Sequence, residues 1–257
     1  MIVRDPFVDY YEKQSASPEM VEHFHRLRDL LLSAVRGRAD ACRLRVADIG
    51  CGPGAFSAVV ARAGCDVEGI DINEALIRIA GERAQAAGLP IRFHCGSAAS
   101  LPWPDASFDI VAMPELLEHV PEWQACLAEA SRILKSSGVL YLSTTNRLCP
   151  VQQEFTLPLY SWYPGWLKQR CLKLATSTHR GWVNHATFPA VNWFDPYSLG
   201  AILRNMGLVP IDRFAMWAEF STDSRKRRIG KTMGAIAPLR LLGHVLSPGT
   251  ILIGRKV

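Results

Sequence analysis

Two stretches of this chain hold residues whose types and spacing could do chemistry. The first, Asp48-x-Gly50-Cys51-Gly52-x-Gly54, ends an apolar run (Val46, Ala47, Ile49) and precedes a helical pattern with Phe56, Val59, Val60 and Ala63 on one side. Glycines in such a bend admit positive φ and let a ligand approach the backbone with no Cβ between them. The helix that follows offers unpaired N–H groups and the positive end of its dipole. Asp71 stands at the end of Val67-Glu-Gly-Ile70, which reads as a second strand. An acid there could accept from two vicinal ribose hydroxyls, or it could only cap a helix starting at Asn73 or Glu74. The second stretch, Met113-Pro-Glu115-Leu-Leu-Glu118-His119-Val120-Pro121, puts two carboxylates and an imidazole within five positions. On a short helical turn Glu115 and Glu118 would share a face. Such a set could bind a divalent cation and lower the pKa of a bound hydroxyl, or His119 could take the proton itself. In the plainer reading the histidine only hydrogen-bonds local structure.

Positioning these groups requires strands that end along one edge. The pattern predicts strands 45–49, 67–71, 91–94, 108–113 and 138–144. Helices at 55–63, 74–87 and 122–134, and a helix or turn at 98–100, alternate with them. A helix opened by Asp195-Pro and ended by Gly207 follows, then strands 208–214 and 250–254. Alternation of this kind implies a parallel sheet with helices on both faces and ligands at the carboxyl ends of the strands. Gly50, Asp71 and Met113 fall on that edge.

The spacing Asp48-x-Gly50-x-Gly52-x-Gly54 resembles motif I of class I S-adenosylmethionine-dependent methyltransferases more than the G-x-G-x-x-G of a dinucleotide site. Leu101-Pro-Trp-Pro-Asp-Ala-Ser-Phe-Asp109 is similar to that family's LPFPDxSFD segment, and Leu134-Lys-Ser-Ser-Gly138 to its LKPGG turn. The likeness covers residues 45–146. The stretch from Glu115 to Val120 resembles the EMLEHV of the ubiquinone-biosynthesis O-methyltransferase branch, and Ser143-Thr-Thr-Asn146-Arg147 its STxNR.

The resemblance implies an α/β, doubly wound, mostly parallel seven-stranded sheet (the Rossmann-like methyltransferase fold) with an aromatic-rich insertion after strand five. It implies S-adenosyl-L-methionine as cofactor. Asp48, Gly50, Cys51, Gly52 and Gly54 would surround its methionine part, Cys51 as a small packing residue rather than a nucleophile, and Asp71 would hold the ribose. Ile72 and Leu101 would sandwich the adenine, and Met113 would stand at the end of strand four. Ser97 and Ala98 would meet the adenine edge where relatives commonly carry aspartate. Glu115, Glu118 and His119 become the catalytic group and candidate Mg²⁺ ligands. Tyr11 would contact the methionine end. Asn146 and Arg147 would face the substrate, unless Arg147 pairs with a helix carboxylate.

The remaining segments frame this core within a single domain, 1–257. Residues 1–44 form a helical cap, with an aromatic cluster (Phe7, Tyr10, Tyr11) ahead of an amphipathic helix over 20–35. Residues 148–194 hold Phe155, Tyr160, Trp162, Tyr163, Trp166, Trp182, Phe188, Trp193 and Phe194, with His179, Arg180 and His185 among them. They read as a substrate lid to which Tyr160 and His179 contribute, as a satellite core, or, over 160–174, as a membrane-interface segment. Residues 195–257 complete the sheet. There Arg225-Lys-Arg-Arg228 precedes the apolar run 233–246, either a contact for anionic lipid or a solvated helix on the sheet edge.

A net charge of +5 is too small an excess to argue for nucleic acid, and Met113-Pro-Glu115-Leu stands where an N-P-P-Y-type tetrad would. Seven cysteines with no C-x-x-C pair argue against zinc and against a disulfide framework. They suggest a reducing cytosol. With no apolar signal region at the N-terminus and no run of ~18 apolar residues, the expected location is cytoplasmic, with a peripheral place on the inner membrane face left open. The expected activity is methyl transfer to a hydroxyl of a small or lipid-linked, quinone- or phenol-like acceptor. N-methylation of a small amine and a non-catalytic cofactor-sensing module are the alternatives.

Overall fold

Val46, Ala47 and Ile49 are fully buried in the first strand, β1 (Arg45–Ile49), because helices cover the sheet on both faces. β1 pairs in parallel with β2 (Asp66–Asp71) on one side and β4 (Phe108–Pro114) on the other. β3 (Arg92–Cys95) lies outside β2, and β5 (Leu134–Thr145) lies beside β4, both in parallel. β7 (Gly249–Lys256) runs antiparallel between β5 and β6 (Leu208–Asp212), which gives the order β3-β2-β1-β4-β5-β7-β6. The strand order reverses between β1 and β4, and that crevice is where the glycine turn and the 115–119 stretch both emerge. The computed structural model describes residues 6–35, 44–152, 154–183 and 190–257. His185 and Phe188 of the insertion lie outside the described residues.

Two apolar layers hold the sheet. On one face Leu127 and Ala130 of α5 (Trp123–Ile133) and Leu199 and Leu203 of α7 (Pro196–Asn205) pack on Ala47, Val111, Leu140 and Leu252. On the other, Leu27 and Leu31 of α2 (Pro18–Val35), Phe56 and Val60 of α3 (Ala55–Arg62) and Met216 of α8 (Arg213–Phe220) cover Val46, Ile110 and Tyr141. The aromatic segment at the start is itself a helix, α1 (Pro6–Ser15). Its Val8 packs on Leu76 and Ile79 of α4 (Glu74–Ala86), while Arg83 of α4 ties down its end through Ser15 Oγ at 3.2 Å and the Glu12 carbonyl at 3.2 Å.

Strand and helix limits fall close to the periodicity, with two differences. β6 stops at Asp212 rather than at 214, because the Asp212 carboxylate accepts from the Ala215 N–H and starts α8. β5 begins at Leu134, ahead of the expected 138, with Ser137 taking a φ of 64° in the turn-like run before Gly138. The insertion carries α6 (Gly165–Ser177), and the β6–β7 connection carries α9 (Ser224–Ala235) and α10 (Ala237–Val245).

Candidate functional site: a nucleoside cleft at the sheet edge

The glycine turn is built as its residue types require. Gly50, Gly52 and Gly54 have φ of 76°, 51° and 76°, a region that costs a side-chain-bearing residue strain. The Gly50 and Cys51 N–H groups both donate to the Ile70 carbonyl, at 2.8 and 3.0 Å, which fastens the turn to β2. A Cβ on Gly54 would lie 2.8 Å from the Phe93 ring and 3.0 Å from Ala80, whereas a Cβ on Gly52 would meet nothing within 4 Å. Gly54 is therefore required by packing, and Gly52 opens onto free space where a ligand can touch the backbone. Cys51 is buried with its sulfur against the Gly69 backbone. Burial pushes its thiol well up, so it packs as a small apolar group and brings only its backbone to the turn.

Asp71 sits across the turn. Its Oδ2 accepts from the Gly52 N–H and its Oδ1 from the Asn73 N–H, both at 2.9 Å. Each carboxylate oxygen has a second lone pair, so two vicinal hydroxyls can still be received. The helix cap that Asp71 was weighed against falls instead to Asn73, which accepts from the Leu76 N–H. Beside it, Ile72 is 77 % exposed, an apolar side chain left in water at the point where a planar ring would lie. Leu101 does not complete that sandwich, since it is buried in the core beneath. Ala98 is half-buried, and Ser97 is exposed with its Oγ accepting from the Ala99 N–H at 3.2 Å. Met113 is fully buried, so only its backbone reaches the edge.

Asp48 is fully buried below the turn. Its Oδ2 accepts from the Ser57 hydroxyl at 2.6 Å, and its Oδ1 has no hydrogen-bond partner. Burial, with the charge of Asp71 adding, pushes its carboxyl up to about 7 against the pull of Ser57. An orphaned buried acid, an open glycine, an acid with spare lone pairs and an exposed isoleucine together fit a nucleoside with a cationic end.

The end of β4 departs from the expected helical turn. Residues 115–119 form non-helical turns, and Glu115 takes a φ of 48°, a strained value for a residue of its type. Glu115 is exposed, His119 is half-buried, and Glu118 turns inward and is fully buried. Glu118 Oε2 accepts from the Thr144 hydroxyl at 2.9 Å, while Oε1 has only the Glu115 carboxyl within reach. Burial first and the Glu115 charge second hold Glu118 well above the usual carboxylate range. The geometry does not support the Mg²⁺ reading: Glu118 faces inward, whereas Glu115 and His119 stand nearer the surface, and among the described residues no three of His, Cys, Asp and Glu converge as a metal would need.

The residues expected at the acceptor are dispersed. Tyr11 packs beside Val8 on Leu76 and Ile79 of α4, and burial first, then the charges of Tyr10, Glu154, Glu118 and Asp71, push its hydroxyl up to about 12. Asn146 is not at the cleft. It is 1 % exposed, and its amide donates to the His244 and Ser247 carbonyls at 2.8 and 2.7 Å. Arg147 pairs with the Asp195 carboxylate that caps α7, at 2.5 Å. Tyr160 stacks on Phe155 with centroids 4.0 Å apart and belongs, with Cys171 and Ala175, to a satellite core inside the insertion. His179 is exposed, bonded to Thr178 at 2.8 Å and stacked over Trp182.

Several residues at the site carry no local sequence signal. Asn192 donates to the Leu117 and Val120 carbonyls at 2.9 and 2.7 Å, while the Val191 and Asn192 N–H groups meet the Glu118 carbonyl. These bonds clamp the Glu118–His119 turn from a residue more than seventy positions away. Glu154 enters from the insertion; burial and the Glu115 charge push it up to about 7. His23 of α2 and the half-buried Arg213 also lie within reach of the Glu115 charge.

A family profile described as "Methyltransferase domain" matches residues 47–142. A ubiquinone biosynthesis O-methyltransferase of Xanthomonas axonopodis pv. citri is 36 % identical over 124 residues, 48 % of this chain and 52 % of that protein. The chain thus spans about half the length of the curated relatives it matches. Two solved structures share the fold. The PH0226 protein of Pyrococcus horikoshii OT3 is 18 % identical with a TM-score of 0.57, covering 94 % of this chain and 93 % of that one. The magnesium protoporphyrin IX methyltransferase of Synechocystis PCC 6803, solved with bound SAH, is 19 % identical with a TM-score of 0.53, covering 93 % and 85 %. With the glycine turn, Asp71 and the sheet order above, these likenesses mark residues 47–142 as a methyltransferase domain on a Rossmann-like sheet, similar in sequence to the ubiquinone-biosynthesis O-methyltransferases.

Proposed function

We propose that the chain methylates a hydroxyl of a small or lipid-linked, quinone- or phenol-like acceptor. The observation that carries this reading is the meeting of the open glycine turn after β1 with His119 and the Glu115–Glu118 pair after β4, at the ends of two adjacent strands. S-adenosylmethionine, when bound, supplies a methyl carbon made electrophilic by its sulfonium sulfur. Gly52 admits its methionine part, Asp71 orients the ribose, Ile72 covers the adenine, and Asp48 faces the cationic end. A hydroxyl acceptor becomes a good nucleophile by giving up its proton, and His119 takes it. Glu118, turned inward and fully buried, is no base in this scheme; it braces Thr144 beneath the acceptor. Tyr11 and Glu154 exclude water from above, which leaves alignment as the chief remaining demand.

In the same reading, residues 1–44 cap the cleft, 45–146 hold the cofactor, 148–194 wall the acceptor and 195–257 complete the sheet. The proximity of Glu154 to Glu115, Tyr10 and Tyr11 supports the lid role of the insertion. The proposed setting is the cytoplasm, with peripheral contact at the inner membrane face. Incubating the chain with methyl-labelled cofactor and extracted lipids and metabolites is expected to place label in an aryl ether. His119→Ala is expected to lower turnover by roughly 10²–10⁴ with cofactor binding kept. Label in an amine, or an unimpaired His119→Ala, would overturn the proposal.

A further inference from the structure

The β6–β7 connection leaves the sheet at the same edge as the site. β5 and β6 are both antiparallel to β7, so they run in the same direction, and Thr145 and Asp212 end on the rim that holds Gly50 and Glu115. From Asp212 the chain forms α8, α9 and α10. One side of the last two helices is committed to the protein. Gly230 of α9 lies so close to α8 that a Cβ would stand 2.5 Å from the Phe214 carbonyl oxygen and 2.6 Å from the Ala218 nitrogen. Gly243 of α10 presses on the Phe214 ring, while Arg240 and His244 reach the Asp212 carboxylate at 2.7 and 2.8 Å. The carbonyls of His244 and Ser247 bind Asn146, directly after β5, so the pair is fixed to the rim rather than hung from it.

The other side has no protein partner to match its chemistry. Leu239, Leu242 and Leu246, at i, i+3 and i+7, form a stripe turned away from Arg240 and His244, with Gly243 at its edge, and are 37 %, 52 % and 72 % exposed. Ile229, Ile236 and Leu241 are further apolar side chains of this connection, each more than two fifths exposed. Beside the stripe stand Arg225, Lys226, Arg227, Arg228 and Lys231, all exposed. None of these five forms an ion pair among the described residues. Asp223, the single acid between residues 223 and 246, is spent on capping α9.

We propose that α9 and α10 together dock on an anionic lipid bilayer, lying in its interface and holding the acceptor cleft at the membrane surface. The charges and the apolar stripe select this occupant jointly. A nucleic acid would answer the cations and leave the leucines in water. A second copy of the chain would cover the leucines and bring ten like charges together. A bilayer of anionic lipid meets both, as interfacial helices with Lys and Arg beside leucines do. No helix among the described residues is long and apolar enough to cross a membrane, so the contact is peripheral. The purpose of the surface rests on the lipid-linked acceptor proposed above.

The test is flotation of the full chain with vesicles of neutral phosphatidylcholine, alone or with a third of phosphatidylglycerol. Cofactor titration by calorimetry on the same samples reports the methyltransferase reading separately. The chain is expected to float with the anionic vesicles only. The triple change Arg225→Gln, Arg228→Gln, Lys231→Gln is expected to lower that partitioning roughly a hundredfold, at about a unit charge's attraction for each residue removed. Leu239→Gln with Leu242→Gln is expected to make the remaining binding reversible by moderate salt. All of these positions are exposed, so cofactor affinity should stay unchanged and certify folding. Failure to float with anionic vesicles, or equal flotation of the charge variant, overturns the docking surface. So does a concentration-dependent dimer that the leucine changes abolish. Vesicle binding without cofactor uptake would instead sink the methyltransferase reading.

Discussion

Replacing Asp48 with Asn is expected to raise stability and weaken cofactor binding in the same molecule. The carboxyl, ordinarily at 3.8, is pushed up to about 7 by burial, with the Asp71 charge adding. A raised folded value means that the native state keeps its proton to higher pH than the unfolded chain does. The stability contribution is therefore complete below pH 3.8 and is lost as pH climbs to about 7. At 1.36 kcal/mol per pH unit, the loss approaches ~4 kcal/mol at neutrality. Asparagine has nothing to ionise and can still accept from Ser57. Its NH₂ takes the place of an oxygen that already lacks a partner, which returns roughly 1 kcal/mol or more of that gain.

Urea unfolding of both proteins from pH 4.5 to 8 should thus show a gap that opens in favour of Asp48→Asn as pH rises and flattens above 7. Glu118 and Glu154 titrate in the same direction, but they are common to both proteins and cancel in the difference. In the proposed cleft the arriving cation ionises Asp48, so binding near pH 6 should release a proton. Calorimetry in buffers of different ionisation enthalpy detects it. The variant should release less and bind roughly tenfold more weakly, the equivalent of one pKa unit. A gap independent of pH would refute the account of the buried acid, and unchanged affinity would refute its role at the cofactor.

Other outcomes follow from single contacts. Ile72→Ser should weaken binding of the demethylated cofactor roughly tenfold, through loss of ~1.5 kcal/mol of apolar burial, with stability nearly unchanged because Ile72 packs against little of the protein itself; calorimetry and thermal melts check both. Asn192→Ala removes the donors that hold the Leu117 and Val120 carbonyls. It should cost about 2–3 kcal/mol of stability and lower kcat more than it raises the cofactor Kd. Excess chelator should leave turnover within about twofold, since Glu118 faces inward instead of joining Glu115 as a ligand; a large loss restored by Mg²⁺ would reverse that reading.

The glycine turn and the acid after β2 were legible because their function resides in backbone conformation and local spacing. Gly50, Gly52 and Gly54 all adopt the positive φ that their type anticipates, and Asp71 meets the Gly52 N–H. The parallel core was legible for a related reason: strands buried on both faces write continuous apolar runs. Side-chain direction at the ends of those strands was not legible. Asn146 follows a motif that resembles substrate-facing relatives, yet it is turned into α10 by carbonyls about a hundred positions downstream. Glu115 and Glu118 looked like one helical face, and a left-handed residue breaks that turn. The density of aromatics at 155–193 read as a lid or as a satellite core, and Tyr160 belongs to such a core with Phe155, Cys171 and Ala175.

What the chain states alone is therefore the cofactor half of the site, whose geometry is written in φ angles and short separations. What only the folded molecule decides is the acceptor half. There, protonation of Glu118 depends on how deeply a distant strand buries it, and the clamp on its turn comes from Asn192 across the cleft. Desolvation and long-range hydrogen bonds are properties of neighbours in space, and a linear sequence does not name them.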